Sequence, residues 1–154
     1  MKIGFIGVGV MGRPMVTHLV NAGFEVGIFA RNSAKVADLV EGGLKRYDTI
    51  KALVTSSDVV ITIVGYPKDV EEVYFNKDNI IESAKKGTIV IDMTTSSPSL
   101  ALKIYQACKE KGIDALDAPV TGGDSGAKNG TLTIFVGGER EVYEKCFPLC
   151  SAGQ

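Results

Sequence analysis

Short apolar runs alternate with amphipathic stretches along this chain. The most apolar run lies at residues 59–64, Val-Val-Ile-Thr-Ile-Val, and such a run is typical of a parallel strand that is covered on both faces. The pattern predicts strands at residues 3–6, 25–29, 44–47, 58–64, 88–91, 113–116 and 131–136. It predicts helices at residues 11–21, 32–41, 49 onward, 68–74, 98–111 and 139–149. Because strands alternate with helices, the sequence predicts an α/β fold with a doubly wound, mainly parallel sheet and helices on both faces.

The composition fits one domain over residues 1–154. Hydrophobic residues make up 45% of the chain, which is enough for a packed core. The 17 basic and 18 acidic residues nearly balance, so we expect neither a nucleic-acid partner nor a membrane surface bound through bulk charge. No apolar run approaches the roughly 20 residues of a membrane span. The three cysteines lack metal-ligand spacing, so we expect no metal site and a reducing, cytoplasmic location.

A glycine-rich motif joins the first predicted strand to the first predicted helix. Residues 7–12 read Gly-Val-Gly-Val-Met-Gly, in which Gly7 permits a tight turn, Gly9 lets a pyrophosphate approach the backbone and Gly12 lets the helix pack closely on the strand. The phosphates would lie at the helix N-terminus, against free N–H groups and the positive end of the helix dipole. The motif predicts a Rossmann-type dinucleotide site. Plain glycine turns, or another ligand such as S-adenosylmethionine, remain alternatives.

The end of the second predicted strand indicates which dinucleotide binds. An NAD site usually places Asp or Glu there to bind the ribose 2′-hydroxyl. Here the strand is followed by Ala30, Arg31, Asn32 and Ser33, and the nearest carboxylate, on Glu25, lies at the other end of the strand. The last three of these residues could donate hydrogen bonds to a 2′-phosphate, so the sequence favours NADP, with NADPH preferred over NADH. The alternative is that Arg31 is a solvated surface charge.

A second glycine-rich segment lies in the predicted loop Asp117–Gly130, which begins Asp-Ala-Pro-Val-Thr-Gly-Gly. With this segment, with residues 4–15 and with residues 91–98 (Ile-Asp-Met-Thr-Thr-Ser-Ser-Pro), the chain resembles the β-hydroxyacid dehydrogenase family. That family includes 3-hydroxyisobutyrate dehydrogenase, tartronate semialdehyde reductase and glyoxylate/succinic semialdehyde reductases, with 6-phosphogluconate dehydrogenase as a more distant relative. The three segments follow one another in the family's order over essentially the whole chain.

The resemblance implies a role for each matching position. The turn residues Gly7, Gly9, Val10, Met11 and Gly12 would hold the pyrophosphate. Contacts to the 2′-phosphate would come from Arg31, Asn32 and Ser33. The adenosine side and the crevice would be lined by Val64, Gly65, Tyr66 and Pro67, and the nicotinamide end would be reached by Thr95. The substrate carboxylate would be held by Thr121, Gly122 and Gly123.

The substrate segment also has a physical basis of its own. Two successive glycines let their N–H groups converge on an anion, and the Thr121 hydroxyl adds a donor. The family more often has Ser at this position, so the extra methyl group could narrow the pocket. The resemblance implies a small carboxylate-bearing aldehyde or keto acid as substrate.

Reduction of a carbonyl also needs an acid that protonates the developing alkoxide. In the resembled family this acid is a lysine on a helix that follows the cofactor domain, and Gln154 comes before that position. We therefore expect the chain to be the NADP(H)-binding domain of an oxidoreductase, with no catalytic residue of its own. The parent protein would be a homo-oligomer that reduces short aldehydes or keto acids to hydroxy acids by hydride transfer. The alternatives are a non-catalytic dinucleotide-binding or oligomerisation module and the cofactor domain of an imine reductase.

Overall fold

A six-stranded parallel sheet forms the centre of the molecule. The computed structural model describes residues 1–9, 12–30, 33–64, 67–76, 79–94, 98–118, 120–121, 133–134 and 140–144. The strands of the sheet are β1 (Lys2–Ile6), β2 (Glu25–Phe29), β3 (Lys45–Arg46), β4 (Val59–Thr62), β5 (Ile89–Asp92) and β6 (Asp114–Asp117). Their order is β3-β2-β1-β4-β5-β6, and each neighbouring pair is parallel. The predicted Rossmann-type fold is confirmed.

Helices connect the strands. They are α1 (Gly12–Asn21), α2 (Ala37–Glu41), α3 (Ile50–Thr55), α4 (Pro67–Phe75), α5 (Ile80–Ser83) and α6 (Pro98–Glu110), and residues 140–144 are also helical. Side-chain caps fix where two of the helices begin, because Thr49 accepts a hydrogen bond from the Ala52 amide at 3.0 Å and Asn79 accepts one from the Glu82 amide at 2.8 Å.

The apolar side chains divide between the two faces of the sheet, because successive strand residues point to opposite sides. On one face, Phe5 and Ile61 pack with Met15 and Leu19 of α1. On the other face, the cluster includes Ile6, Val60, Val90, Leu53, Tyr74 and Ile104, contributed by the strands and by α3, α4 and α6. Burial of each large apolar side chain contributes about 1.5–3 kcal/mol. The two clusters therefore fix the sheet between its helices and align the carboxyl ends of its strands.

Three predicted elements differ from the structure. The helix predicted at residues 32–41 is a 3-10 turn (Ser33–Val36) followed by the short helix α2, and no side chain caps α2. The predicted loop Asp117–Gly130 contains the strand β7 (Val120–Thr121), which pairs antiparallel with β8 (Thr133–Ile134). Of the strand predicted at residues 131–136, the described part, Thr133–Ile134, thus pairs outside the parallel sheet. No helix was predicted for α5, because four residues are too few to show a helical period.

Candidate functional site

The turn between β1 and α1 is shaped by glycine at two positions where a side chain would collide with backbone. Gly7 has a φ of +101°, and a Cβ added there would overlap the carbonyl oxygen of Ile63. A Cβ added at Gly12 would overlap the carbonyl oxygen of Gly7, so α1 approaches the turn as closely as a glycine allows. The predicted reasons for these two glycines, a tight turn and close packing of helix on strand, are confirmed by the geometry.

Gly9 differs from Gly7 and Gly12 because a side chain at Gly9 would point into open space. No described heavy atom lies within 4 Å of a Cβ added there. The Gly9 amide donates to the Gly7 carbonyl at 2.9 Å, and the Arg13 amide donates to the Gly9 carbonyl at 3.0 Å, which extends the first turn of α1 back to the loop. The first turn of α1 holds no acidic residue, so its positive end is not neutralised by the helix itself. A side chain at Gly9 would thus point into open space at the start of α1.

The segment after β2 is tied to α1 by Arg13. Its guanidinium lies 2.6 Å from a carboxylate oxygen of Asp38 and also donates to the carbonyl of Lys35. The hydrogen bond to Arg13 lowers the pKa of Asp38. Arg13 therefore fixes residues 35–38 beside the glycine turn, a role that the sequence analysis missed.

A buried polar network joins the carboxyl ends of β4 and β5. Thr62 and Asp92 are register partners, and the Thr62 hydroxyl donates to Asp92 Oδ1 at 3.0 Å. Since that proton is used, the Tyr74 hydroxyl donates to Thr62 Oγ1, at 3.1 Å. The Thr94 amide also donates to Asp92 Oδ1, at 3.1 Å, and Thr94 Oγ1 accepts from the Val64 amide at 2.9 Å. One carboxylate thus organises both loops at this edge.

The second oxygen of Asp92 is left without a partner. Asp92 is 4% exposed, and among the described residues no hydrogen-bond donor reaches its Oδ2. Burial raises the pKa of this carboxyl group to about 6, against the lowering effect of hydrogen bonds from Thr94 and Thr62. Its register partner Asp117 also has a raised pKa because of burial. Both carboxylates line a cavity of about 140 Å³ beneath α6, next to Ile104 and Tyr105.

The structure places only part of the predicted site. Gly7, Gly9 and Gly12 form the turn, and Val64 follows β4 at the same edge of the sheet. Three further positions are placed by their backbone: Ser33 opens the 3-10 turn, Pro67 opens α4 and Thr121 ends β7. The remaining predicted residues lie outside the described residues: Val10, Met11, Arg31, Asn32, Gly65, Tyr66, Thr95, Gly122 and Gly123.

Four residues that organise this edge were given no role by the sequence analysis, namely Thr62, Tyr74, Asp92 and Thr94. The available signal was the carboxylate that ends the apolar run Ile-Val-Ile-Asp, since a charged residue in a buried strand needs partners. Within the described ranges, no three His, Cys, Asp or Glu side chains come together as metal ligands would. In the same ranges, no helix has the length and apolarity to cross a membrane.

Comparison with known proteins agrees with this arrangement. The family described as the NAD binding domain of 6-phosphogluconate dehydrogenase matches residues 2–152. The chain is 56% identical over 149 residues to the uncharacterized oxidoreductase YkwC of Bacillus subtilis, covering 97% of this chain and 52% of that protein. It is 46% identical to the probable 3-hydroxyisobutyrate dehydrogenase-like 1 of Arabidopsis thaliana and 40% identical to the NAD-dependent L-serine dehydrogenase of Pseudomonas aeruginosa, covering 45% and 51% of those proteins. The chain spans about half the length of the curated relatives it matches.

Solved structures resemble the chain over almost its whole length. The 3-hydroxyisobutyrate dehydrogenase of Mycobacterium tuberculosis superposes with a TM-score of 0.91 at 30% identity, over 99% of this chain and 51% of that one. Psf3 in complex with NADP+ superposes with a TM-score of 0.92 at 30% identity, over 97% of this chain and 53% of that one. An imine reductase of Myxococcus stipitatus, at 20% identity and a TM-score of 0.87, shares the fold.

Proposed function

Because this chain belongs to the β-hydroxyacid dehydrogenase family, of which it is the NAD-binding domain, we propose that it binds NADP(H) as the cofactor half of a reductase. The reductase would convert short aldehydes or keto acids that carry a carboxylate into hydroxy acids. When bound, the dinucleotide supplies the hydride. What this chain's own residues contribute is binding, orientation and the shape of the crevice.

The observation that carries the proposal is the contrast among the three glycines of the turn. A side chain at Gly7 or Gly12 would collide with backbone, whereas a side chain at Gly9 would point into free space at the start of α1. A phosphate group needs such space, together with backbone amides and the positive end of a helix. Gly7, Gly9, Val10, Met11 and Gly12 would form this cradle, with Val64, Gly65, Tyr66 and Pro67 along the crevice and Thr95 at the nicotinamide.

The choice of NADP over NAD rests on the residues that follow β2. Ala30 occupies the place where an NAD site usually has a carboxylate, and Arg31, Asn32 and Ser33 would bind the 2′-phosphate. Relatives include both kinds of protein, since one is named an NAD-dependent L-serine dehydrogenase and Psf3 was solved with NADP+. The proposed preference for NADP over NAD therefore depends on residues 30–33 and not on the family as a whole.

The substrate class follows from the second glycine segment and from the named relatives. Thr121, Gly122 and Gly123 would hold a carboxylate through amide and hydroxyl donors. Among the relatives, a 2-hydroxy-3-oxopropionate reductase of Escherichia coli is 38% identical to this chain. We further propose that the whole protein is a cytoplasmic homo-oligomer, and that the 154-residue polypeptide binds cofactor without turnover, because no residue in it is assigned as the proton donor.

Calorimetric titration tests the proposal. The 154-residue chain should bind NADPH and, more weakly, NADH, and it should show no glyoxylate-dependent oxidation of NADPH. Absence of binding to either dinucleotide would contradict the proposed function, and turnover would show that no outside proton donor is needed. If a chain extended to the length of the relatives binds NADPH but reduces no aldehyde, keto acid or cyclic imine, the non-catalytic module is the better explanation.

A further inference from the structure

A hydrogen-bonded route joins the chain that leaves β4 to the chain that leaves β5. The Val64 amide donates to Thr94 Oγ1 at 2.9 Å, and the Thr94 amide donates to Asp92 Oδ1 at 3.1 Å. Val64 and Thr94 are 30 positions apart in sequence, so their contact fixes one loop against the other. Asp92 is the end of the route, because its Oδ1 also takes the Thr62 hydroxyl at 3.0 Å.

The buried carboxylate stabilises the two loops only at a cost to the fold. Its Oδ2 is buried and has no donor within the described part of the chain. An apolar residue at this position would avoid that cost. A carboxylate is the stronger hydrogen-bond acceptor for the Thr62 hydroxyl and the Thr94 amide, since a charge-assisted hydrogen bond is roughly twice as strong as a neutral one.

We propose that Asp92 is a positioning residue for dinucleotide binding, which holds Thr94 directly and Val64 through Thr94, so that both loops keep the shape of the crevice. The inference rests on the proposed function, because Val64 and the neighbouring Thr95 are taken to face the cofactor. Asp92 itself lies under the loops, touches no reacting atom and acts only through Thr94.

The proposal predicts a characteristic pH dependence. Burial raises the pKa of Asp92 to about 6, so the carboxylate is ionised at pH 8 and largely protonated at pH 5. Among the described residues, the titratable groups that face it are Tyr74 of α4, Asp117 of β6 and Tyr105 of α6, with Cys108 behind Tyr74. Burial raises the pKa of Tyr74 well above its ordinary value and that of Cys108 to about 12, so neither of these two changes charge in this range. Asp117, whose pKa is also raised, needs its own control.

The decisive measurement is the ratio of the NADPH dissociation constants of Asp92→Asn and the unmodified chain. This ratio cancels the titration of the 2′-phosphate, since phosphomonoesters have a second pKa of about 6. We expect a ratio of about ten at pH 8, because one charge-assisted acceptor becomes neutral. At pH 5 the ratio should approach one, because protonated Asp92 then resembles asparagine. The difference between the ratios at pH 8 and pH 5 should also be found when both proteins carry Asp117→Asn, and when NADH replaces NADPH.

A matched control lies at the amino ends of the strands, on the side of the sheet away from the crevice. Asp58 precedes β4 and accepts a hydrogen bond from the Lys2 amide at 2.8 Å, so Asp58→Asn makes the same chemical change away from the crevice. The NADPH dissociation constants of Asp58→Asn and of the unmodified chain should be equal at pH 8 and at pH 5. A ratio for Asp92→Asn that is one at pH 8, or that does not vary with pH, would overturn the inference. If the unmodified chain binds neither dinucleotide, the proposed function fails instead.

A second pair of variants keeps the test decisive if Asp92→Asn does not fold. Thr94→Val preserves shape but removes the acceptor for the Val64 amide, whereas Thr94→Ser retains it. We expect about tenfold weaker NADPH binding for the valine variant, because the Val64 loop loses the hydrogen bond that holds it in place, and near-normal binding for the serine variant. Equal affinity of a folded Thr94→Val variant and the unmodified chain would overturn the positioning role.

Discussion

Gly7 lies against Ile63 so closely that a side chain on Gly7 would overlap the Ile63 carbonyl oxygen. The contact joins the turn after β1 to the chain leaving β4, and it depends on a φ of +101° at Gly7. It brings the glycine turn beside the loop that contains Val64. Two strands that are neighbours in the sheet but distant in sequence thus share one site at their carboxyl ends.

Replacement of Gly7 by alanine should destabilise the fold. The left-handed backbone at this position strains any side chain, and the collision with Ile63 is with backbone, which cannot turn away. We expect the free energy of unfolding in urea to fall by at least about 2 kcal/mol. Gly23→Ala is the matched control, because Gly23 also has a positive φ but has open space around it, so it should lose only the strain of about 1 kcal/mol. Equal losses for the two variants would contradict the role of the contact.

Replacement of Gly9 by alanine should leave the fold intact and weaken cofactor binding. The added methyl group meets no described atom, so unfolding by urea should be nearly unchanged. The same methyl group would occupy the space proposed for the pyrophosphate, and we expect the dissociation constant of NADPH to rise at least about tenfold, or about 1.4 kcal/mol. Calorimetry and unfolding on the same preparation separate the two effects. Unaltered NADPH affinity in a folded Gly9→Ala variant would move the phosphates away from this turn.

The sequence predicted the parts of the molecule whose causes are local. The apolar run at β4 indicated a buried parallel strand, and the positions of Gly7 and Gly12 indicated a tight turn with close packing of α1. That this turn admits a dinucleotide stays a prediction. In contrast, the antiparallel pairing of β7 with β8 joins two-residue strands that are 12 positions apart, and neither strand is long enough to show a period.

The network around Asp92 could not be predicted for a related reason. Thr62 and Asp92 meet only because β4 and β5 pair in one register, and a shift by one residue would turn their side chains to opposite faces. Tyr74 joins them from α4, where its spacing is that of an ordinary core residue. The charge at the end of an apolar run indicated that partners were needed, and only the register identified them.

The stability of the chain should depend on pH through Asp92. The pKa of this carboxyl group is about 6 in the folded protein and 3.8 ordinarily, so between about pH 4 and 6 the folded state binds more protons than the unfolded state. The protonated Asp92 carboxyl group therefore contributes its full stabilisation of the fold below about pH 4, and this stabilisation is lost as the pH rises through 6. The loss amounts to about 3 kcal/mol, since one pKa unit corresponds to about 1.4 kcal/mol.

Urea unfolding at several pH values measures this effect. The free energy of unfolding of the unmodified chain minus that of Asp92→Asn should decrease by about 2.4 kcal/mol between pH 4 and 7, because asparagine does not titrate. A constant difference for Asp92→Asn would mean that the carboxyl group has an ordinary pKa in the folded chain.

Cofactor preference should reverse when the end of β2 is given an NAD-type carboxylate. Ala30 directly follows Phe29, the last residue of β2, so Ala30→Asp places a carboxylate where the ribose hydroxyl groups would lie, and Arg31→Ala removes the cation proposed to bind the 2′-phosphate. In the double variant we expect NADH to bind more tightly than NADPH, because the new carboxylate accepts hydrogen bonds from the ribose and repels the phosphate. Calorimetric titration with both dinucleotides gives the ratio directly. Lys85→Glu, which lowers the net charge by the same amount as the double variant but at the amino ends of the strands, controls for net charge and should leave the ratio unchanged. An unchanged ratio in the double variant would remove the basis for preferring NADP.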